Sequence, residues 1–143
     1  MKSNVEKGQD FVRVAQPVLE QNLGVRLERE VPLKIGNPPK NHKFDLVSNN
    51  REWVIECKNY SWTISGNSPQ AKIASLSDAV RMLRSVDAKC HKAIVMSRAT
   101  HTSKRETLAE YYLRLNHNVL GDVALGEINV ESRELRWLTR NIV

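Results

Sequence analysis

Cysteine is scarce in this chain. The two present, Cys57 and Cys90, stand 33 positions apart with no CxxC and no Cys/His ligand spacing around them. That pattern argues against a disulfide framework and against a zinc site. Cys57 lies in a strongly apolar run, where a thiol behaves as a small core hydrophobe. No stretch approaches the roughly 18 consecutive apolar residues needed to cross a bilayer. The opening MKSNVEKGQD has no apolar run of the signal-peptide kind. The expected location is therefore the cytosol (cytoplasmic). Linker-like stretches, internal repeats and low-complexity tracts are also missing, so 143 residues suit one compact domain over 1–143.

What is present is the balance of a globular protein: 41% hydrophobic and 27% charged residues, outside the range of disordered chains. The formal net charge is +6. A basic excess favours polyanions, because each Lys or Arg that pairs with a phosphate releases condensed counterions. Taken alone it decides little, since many basic proteins never touch nucleic acid.

Along the chain, residues Val5 to Leu23 read as an amphipathic helix with Phe11, Val12, Val14, Ala15, Val18, Leu19 and Leu23 on one half. Pro17 is an oddity there, since a mid-helix proline tends to kink the chain. Gly24 is the expected stop. Val25, Leu27, Arg29, Val31, Leu33 and Ile35 alternate as in a strand, and Pro32 points to an edge or a bulge. Phe44 to Val47 and Glu52 to Tyr60 form a predicted hairpin around Ser48-Asn49-Asn50-Arg51. Ser68-Pro69 reads as the N-cap and first residue of a second helix reaching about Val86, with Ile73, Leu76, Ala79, Val80 and Leu83 on its apolar face. Ala93 to Ser97 is a short buried strand. Ser103 and Glu106 have capping-box spacing and open a third predicted helix reaching about Asn116. Val119 to Leu138 offers two or three strands. The order is α-β-β-β-α-β-α-β with room for one extra terminal strand, an α/β fold with a mixed central sheet flanked by helices.

The stretch with chemistry in it is Lys43-Phe44-Asp45-Leu46-Val47 and then, with ten residues between Asp45 and Glu56, Glu56-Cys57-Lys58. Side chains alternate along a strand, so Glu56 and Lys58 share a face while Ile55 and Cys57 take the other. In the predicted hairpin Asp45 comes opposite Glu56. Charge beside a core is costly unless it is paired or binds a metal. Two carboxylates offer hard oxygen ligands suited to Mg²⁺, and a lysine beside them can orient a water or stabilise charge on a phosphate. The alternative for the same residues is a turn-opening aspartate and an ordinary charge pattern on a solvated strand. Trp53, Val54 and Ile55, apolar on both faces, speak for a central strand instead.

Asp45, the ten-residue interval, Glu56-Cys57-Lys58 and the helix–strand order together resemble the PD-(D/E)XK, or restriction-endonuclease-like, nuclease superfamily. VIECKNY (residues 54–60) is similar to its third core strand. The run from Lys92 to Asn116 is similar to the strand-then-helix continuation of the Mrr-like branch. The resemblance implies a restriction-endonuclease-like core and a Mg²⁺-dependent DNA endonuclease in which Mn²⁺ can substitute. Asp45 and Glu56 would then be metal ligands and Lys58 the catalytic lysine. Many relatives carry a glutamate on the first helix, shortly after a glycine and an aromatic residue. Here Gly8-Gln9-Asp10-Phe11-Val12 has valine at that place, leaving Glu20 or Asp10 as substitutes from nearby turns. Gln70 and Lys72 are auxiliary candidates at the start of the second helix, or a solvated first turn. His42, His91, His101 and His117 have no ligand spacing and read as surface residues. His101 sits among Arg98, Lys104 and Arg105, a cluster able to contact phosphates or simply to be solvated. Trp62 either stacks on a base or caps the core.

The partner implied is DNA. With no separate recognition domain in view, sequence specificity would need a homodimer or a partner subunit, and small junction- or flap-recognising members of the superfamily usually work as homodimers. Two other readings stand beside the nuclease: a non-catalytic nucleic-acid-binding or assembly module that retains the fold, and a structural α/β protein with scattered basic residues.

Overall fold

The computed structural model describes residues 1–139. Helix α1 (Asn4–Leu23) opens on Ser3, whose hydroxyl accepts from the Glu6 N–H, and closes on Gly24 at φ 67°, whose N–H returns to the Glu20 carbonyl. The helix runs through Pro17 without ending. Phe11 and Ala15 before the proline and Leu19 after it are all buried, so tertiary packing holds both halves to one surface. Strands β1 (Leu27–Ile35), β2 (Lys40–Ser48) and β3 (Trp53–Lys58) follow, then helix α2 (Gln70–Arg84), strand β4 (His91–Ser97), helix α3 (Leu108–Leu120) and strands β5 (Ala124–Ile128) and β6 (Leu135–Trp137). The extra terminal strand is therefore present.

All six strands form one mixed sheet in the order β1-β2-β3-β4-β5-β6. β1, β2 and β3 are antiparallel, β3, β4 and β5 parallel, and β6 antiparallel to β5. The two parallel steps are made by the crossover helices α2 and α3, as parallel pairing requires. α1 covers one face, burying Phe11, Ala15 and Leu19 against Leu46, Ile55 and Val95. α2 and α3 cover the other, where Leu76, Val80, Leu83 and Tyr112 meet Val54, Ile94 and Leu125. Because β4 is covered on both sides, Ala93-Ile94-Val95-Met96 is a continuous apolar run. Each fully buried aliphatic side chain contributes about 1.5–3 kcal/mol relative to exposure.

The alternation from Val25 to Ile35 does not keep to one face. Leu27 belongs to the α1 core, whereas Val31 is in the α2/α3 core and Leu33 and Ile35 pack against it. Glu30 lies between them at φ 54°, and this left-handed residue rotates the strand. β2 turns with it, since Phe44 and Leu46 also fall in opposite cores. The rotation point is Glu30 opposite Asp45.

Two predicted helix starts are displaced. Ser68 does not cap α2: Pro69 occupies that position without a side-chain cap, and the Ser68 hydroxyl accepts from Gln70 instead. The capping box of α3 is Thr107/Glu110 rather than Ser103/Glu106. Ser103 is taken by His101, which accepts the Ser103 N–H at 3.1 Å, and Glu106 pairs with Arg114 at 2.7 Å. This close-packed corner needs Gly66, because a Cβ there would come within 2.4 Å of the Ser103 hydroxyl at a φ of +87°.

Candidate functional site

β2 and β3 pair at only two positions, Leu46↔Ile55 and Val47↔Val54, and then separate. On its other edge β3 stays paired with β4 as far as Lys58↔Met96. The backbone groups orphaned by the separation are satisfied by two carboxylates. Glu56 Oε1 accepts the Asp45 N–H at 2.9 Å, and Asp45 Oδ2 accepts the Cys57 N–H at 2.8 Å. Asp45 and Glu56 thus hold the mouth of a wedge between two strands, one oxygen of each fixed by a main-chain donor. Cys57 itself is buried in the α1 core as expected, and burial pushes its thiol well above the usual range.

Glu56 is 7% exposed. Burial, and then the charge of Asp45 beside it, push its carboxyl up to about 8. Asp45 is also raised, first by burial and further by Glu30, against the Cys57 N–H and the Lys58 ammonium, which pull it down. A pair of this kind shares protons and titrates as a unit.

Lys58 shares the Glu56 side of β3 and lies with its ammonium 6.0 Å from the Tyr60 ring centre. Lys72 approaches the same ring at 5.5 Å. Both line a cleft of about 770 Å³ that also contains Asp45 and Glu30. Lys7 and Arg13 from α1 and Arg29 from β1 complete a wall of five cations. Asn59 ties the cleft together, accepting from the buried Ser97 hydroxyl at 2.7 Å while its amide reaches the Lys7 carbonyl at 3.5 Å. Gly8 leaves open space on the α1 side.

Asp45, Lys58 and Lys72 therefore line one cleft, and Glu56, buried and outside its lining, is joined to it by the bond from the Asp45 N–H. Gln70 is not part of it: it is exposed, bonds Ser68 and lies off the cleft lining. Glu20, the other metal candidate, lies off the cleft lining. It sits two turns beyond Val12, and its carboxylate accepts the Leu27 N–H at 2.9 Å, stapling α1 to β1. Asp10 is an exposed partner of Lys2 at 2.6 Å and Arg13 at 3.0 Å. Val12 lines the cleft at the helix position in question. His101 has both ring nitrogens engaged, with Ser103 and with the Ile64 carbonyl at 2.8 Å, so it is a loop clamp. His91 stacks on Trp53. Trp62 belongs to the core, buried and donating to the Ala99 carbonyl at 3.2 Å. Glu30 was missed by the sequence reading. Nothing in Arg-Glu-Val signals that this residue breaks alternation and turns toward Asp45.

The donor set suits a hard cation. Two carboxylates lie side by side, burial raises both and the charge of Asp45 raises Glu56 further, and a divalent ion between them would remove the cost. Among the described residues no group of three or more His, Cys, Asp or Glu is placed to hold a metal. Mg²⁺ requires no such cage, since it is held by one or two carboxylates with waters and substrate phosphate. The residues present fit that mode.

No protein-family model and no curated protein matches the chain. Among solved structures, an XisH family protein from Nostoc punctiforme superposes with a TM-score of 0.57, covering 90% of this chain and 98% of its own, at 12% identity. At that identity the likeness is one of fold, a mixed α/β arrangement with a central sheet flanked by helices. No described helix is long and apolar enough to cross a membrane.

Proposed function

We propose that the protein is a metal-dependent DNA endonuclease that hydrolyses phosphodiester bonds at Asp45, Glu56 and Lys58. The observation that carries this reading is the carboxylate pair bridging the parted strands, Glu56 buried and Asp45 half-buried, with Lys58 two residues on and a five-cation cleft in front of Asp45. A structural charge pattern has no physical need to place two carboxylates in a poorly solvated wedge.

Asp45 and Glu56 would hold Mg²⁺, which supplies Lewis-acid stabilisation of charge on the phosphate when bound. The cleft cations Lys7, Arg13, Arg29 and Lys72 bind the phosphate backbone and set its register. The Lys58 ammonium orients the attacking water or meets the charge that develops on the phosphoryl oxygens. In the balanced reaction a water oxygen bonds to phosphorus, one P–O ester bond breaks, and the departing oxygen takes up a proton. Reading a particular sequence calls for a homodimer or a partner subunit, which sedimentation in the presence of DNA would reveal.

The test is incubation of the purified chain with supercoiled, linear, single-stranded and branched DNA in Mg²⁺, in Mn²⁺ and in EDTA. Cleavage is expected with either metal and not in EDTA. Activity that survives Glu56→Ala or Lys58→Ala would sink the site assignment. Binding with no cleavage under any metal would instead make the chain a module that keeps the fold without the chemistry.

A further inference from the structure

Strands β1 and β2 remain partners beyond the point where β3 drops away. Their ladder continues from Val31↔Phe44 to Ile35↔Lys40, while β2 meets β3 only at Leu46 and Val47. The result is a two-stranded arm of residues 31–44 rooted at Glu30 and Asp45, both on the cleft. One face of the arm is apolar: Val31 and Phe44 are buried in the α2/α3 core, and Leu33 and Ile35 pack against it. That packing fixes the direction of the opposite face, which looks to the α1 side of the sheet, where Lys7 and Arg13 stand at the cleft.

On this opposite face lie the cross-strand pairs Pro32↔Lys43 and Lys34↔Asn41, all four residues exposed. Lys40 is exposed at the turn. Residues 31–44 contain three lysines and no Asp or Glu. Among the described residues none of the three lysines makes an ion pair. With a strand rise of about 3.3 Å per residue, Lys43 comes about 7 Å and the Lys34 level about 13 Å beyond Asp45 along the arm. Lysines on an edge strand commonly serve to discourage edge-to-edge pairing. Here they stand on one face, in line, as an extension of the basic wall formed by Lys7, Arg13 and Arg29.

We propose that this arm is a second DNA contact, with Lys34 and Lys43 holding phosphates of the duplex that runs outward from the carboxylate pair. The partner is taken from the nuclease reading above. Its energetic signature is counterion release, about 0.9 of a unit in the slope of log affinity against log salt for each phosphate neutralised.

The full chain, its Lys34→Gln/Lys43→Gln double variant and an Asn41→Lys variant are titrated in EDTA against a labelled duplex of ~30 base pairs over ~50–300 mM salt. The double variant is expected to lower the salt slope by about 2 and to bind roughly tenfold more weakly at ~0.15 M, while Asn41→Lys raises the slope by about 1. A double variant with the parent's slope would overturn the arm and leave the lysines as edge protection. Slopes that change as stated, without cleavage in Mg²⁺, would keep the arm and remove the nuclease. A parent chain that binds no DNA would remove both.

Discussion

Ionisation of Glu56 should make the metal-free protein less stable as pH rises. In the folded chain its carboxyl is moved from 4.5 to about 8, by burial first and by Asp45 second. Between those values the folded state keeps a proton that the unfolded chain has released, so stability falls with rising pH. The contribution is fully present below the unfolded value and is gone above the folded one. Asp45 is raised for the same leading reason and acts in the same direction. One pH unit of such a shift corresponds to about 1.4 kcal/mol, giving an upper bound of roughly 5 kcal/mol over the window. Proton sharing within the pair reduces this to about 2–4 kcal/mol. Glu56→Gln isolates the effect, because the amide keeps an oxygen for the Asp45 N–H and cannot ionise. Urea unfolding in EDTA should find the two proteins equal within ~0.5 kcal/mol at about pH 5, with the variant ahead by about 2–4 kcal/mol at about pH 9. Titrating groups away from the pair and the +6 net charge act on both proteins and cancel in the difference, which therefore reports the Asp45/Glu56 pair. Added Mg²⁺ should restore the parent at high pH and do little for the variant. A gap that stays constant from about pH 5 to about pH 9 would show that Glu56 is not held neutral by its surroundings, and the electrostatic account of the site would fail.

Three further outcomes follow from individual contacts. Lys58→Ala should reduce Mg²⁺-dependent cleavage by about 10²–10³-fold with DNA affinity in EDTA nearly unchanged, a split that gel assays and anisotropy read separately. Thr107→Ala should cost about 1 kcal/mol by removing the cap of α3, whereas Glu106→Ala should leave the helix start intact; calorimetry on both tells the true capping box from the false one. Glu30→Gly should relieve the left-handed conformation at φ 54° and stabilise the fold by up to ~1 kcal/mol. It also removes a negative charge facing Asp45, so the Asp45 carboxyl titration followed by NMR should move down.

The local code was enough for much of this chain. Helix α1 was legible from its apolar stripe and Gly24, and β4 from an apolar run too short for a helix, because hydrophobic periodicity records which faces are covered. Asp45, Glu56 and Lys58 could be placed on adjacent strands because a hairpin with a short turn sets its own register. Capping was less legible. Ser103 and Glu106 have the right spacing, and only the packing of His101 against Ile64 and Ser103 withdraws that serine and leaves Thr107 to start the helix. Glu20 has the residue type for a ligand, but on a helix lying over β1 its carboxylate is nearer the Leu27 N–H than the cleft. The parting of β2 from β3, the turn of Glu30 toward Asp45 and the basic wall gathered from α1, β1, β3 and α2 were decided by tertiary structure alone. They depend on where separately folded elements meet, and side-chain periodicity within one element has no information about the next.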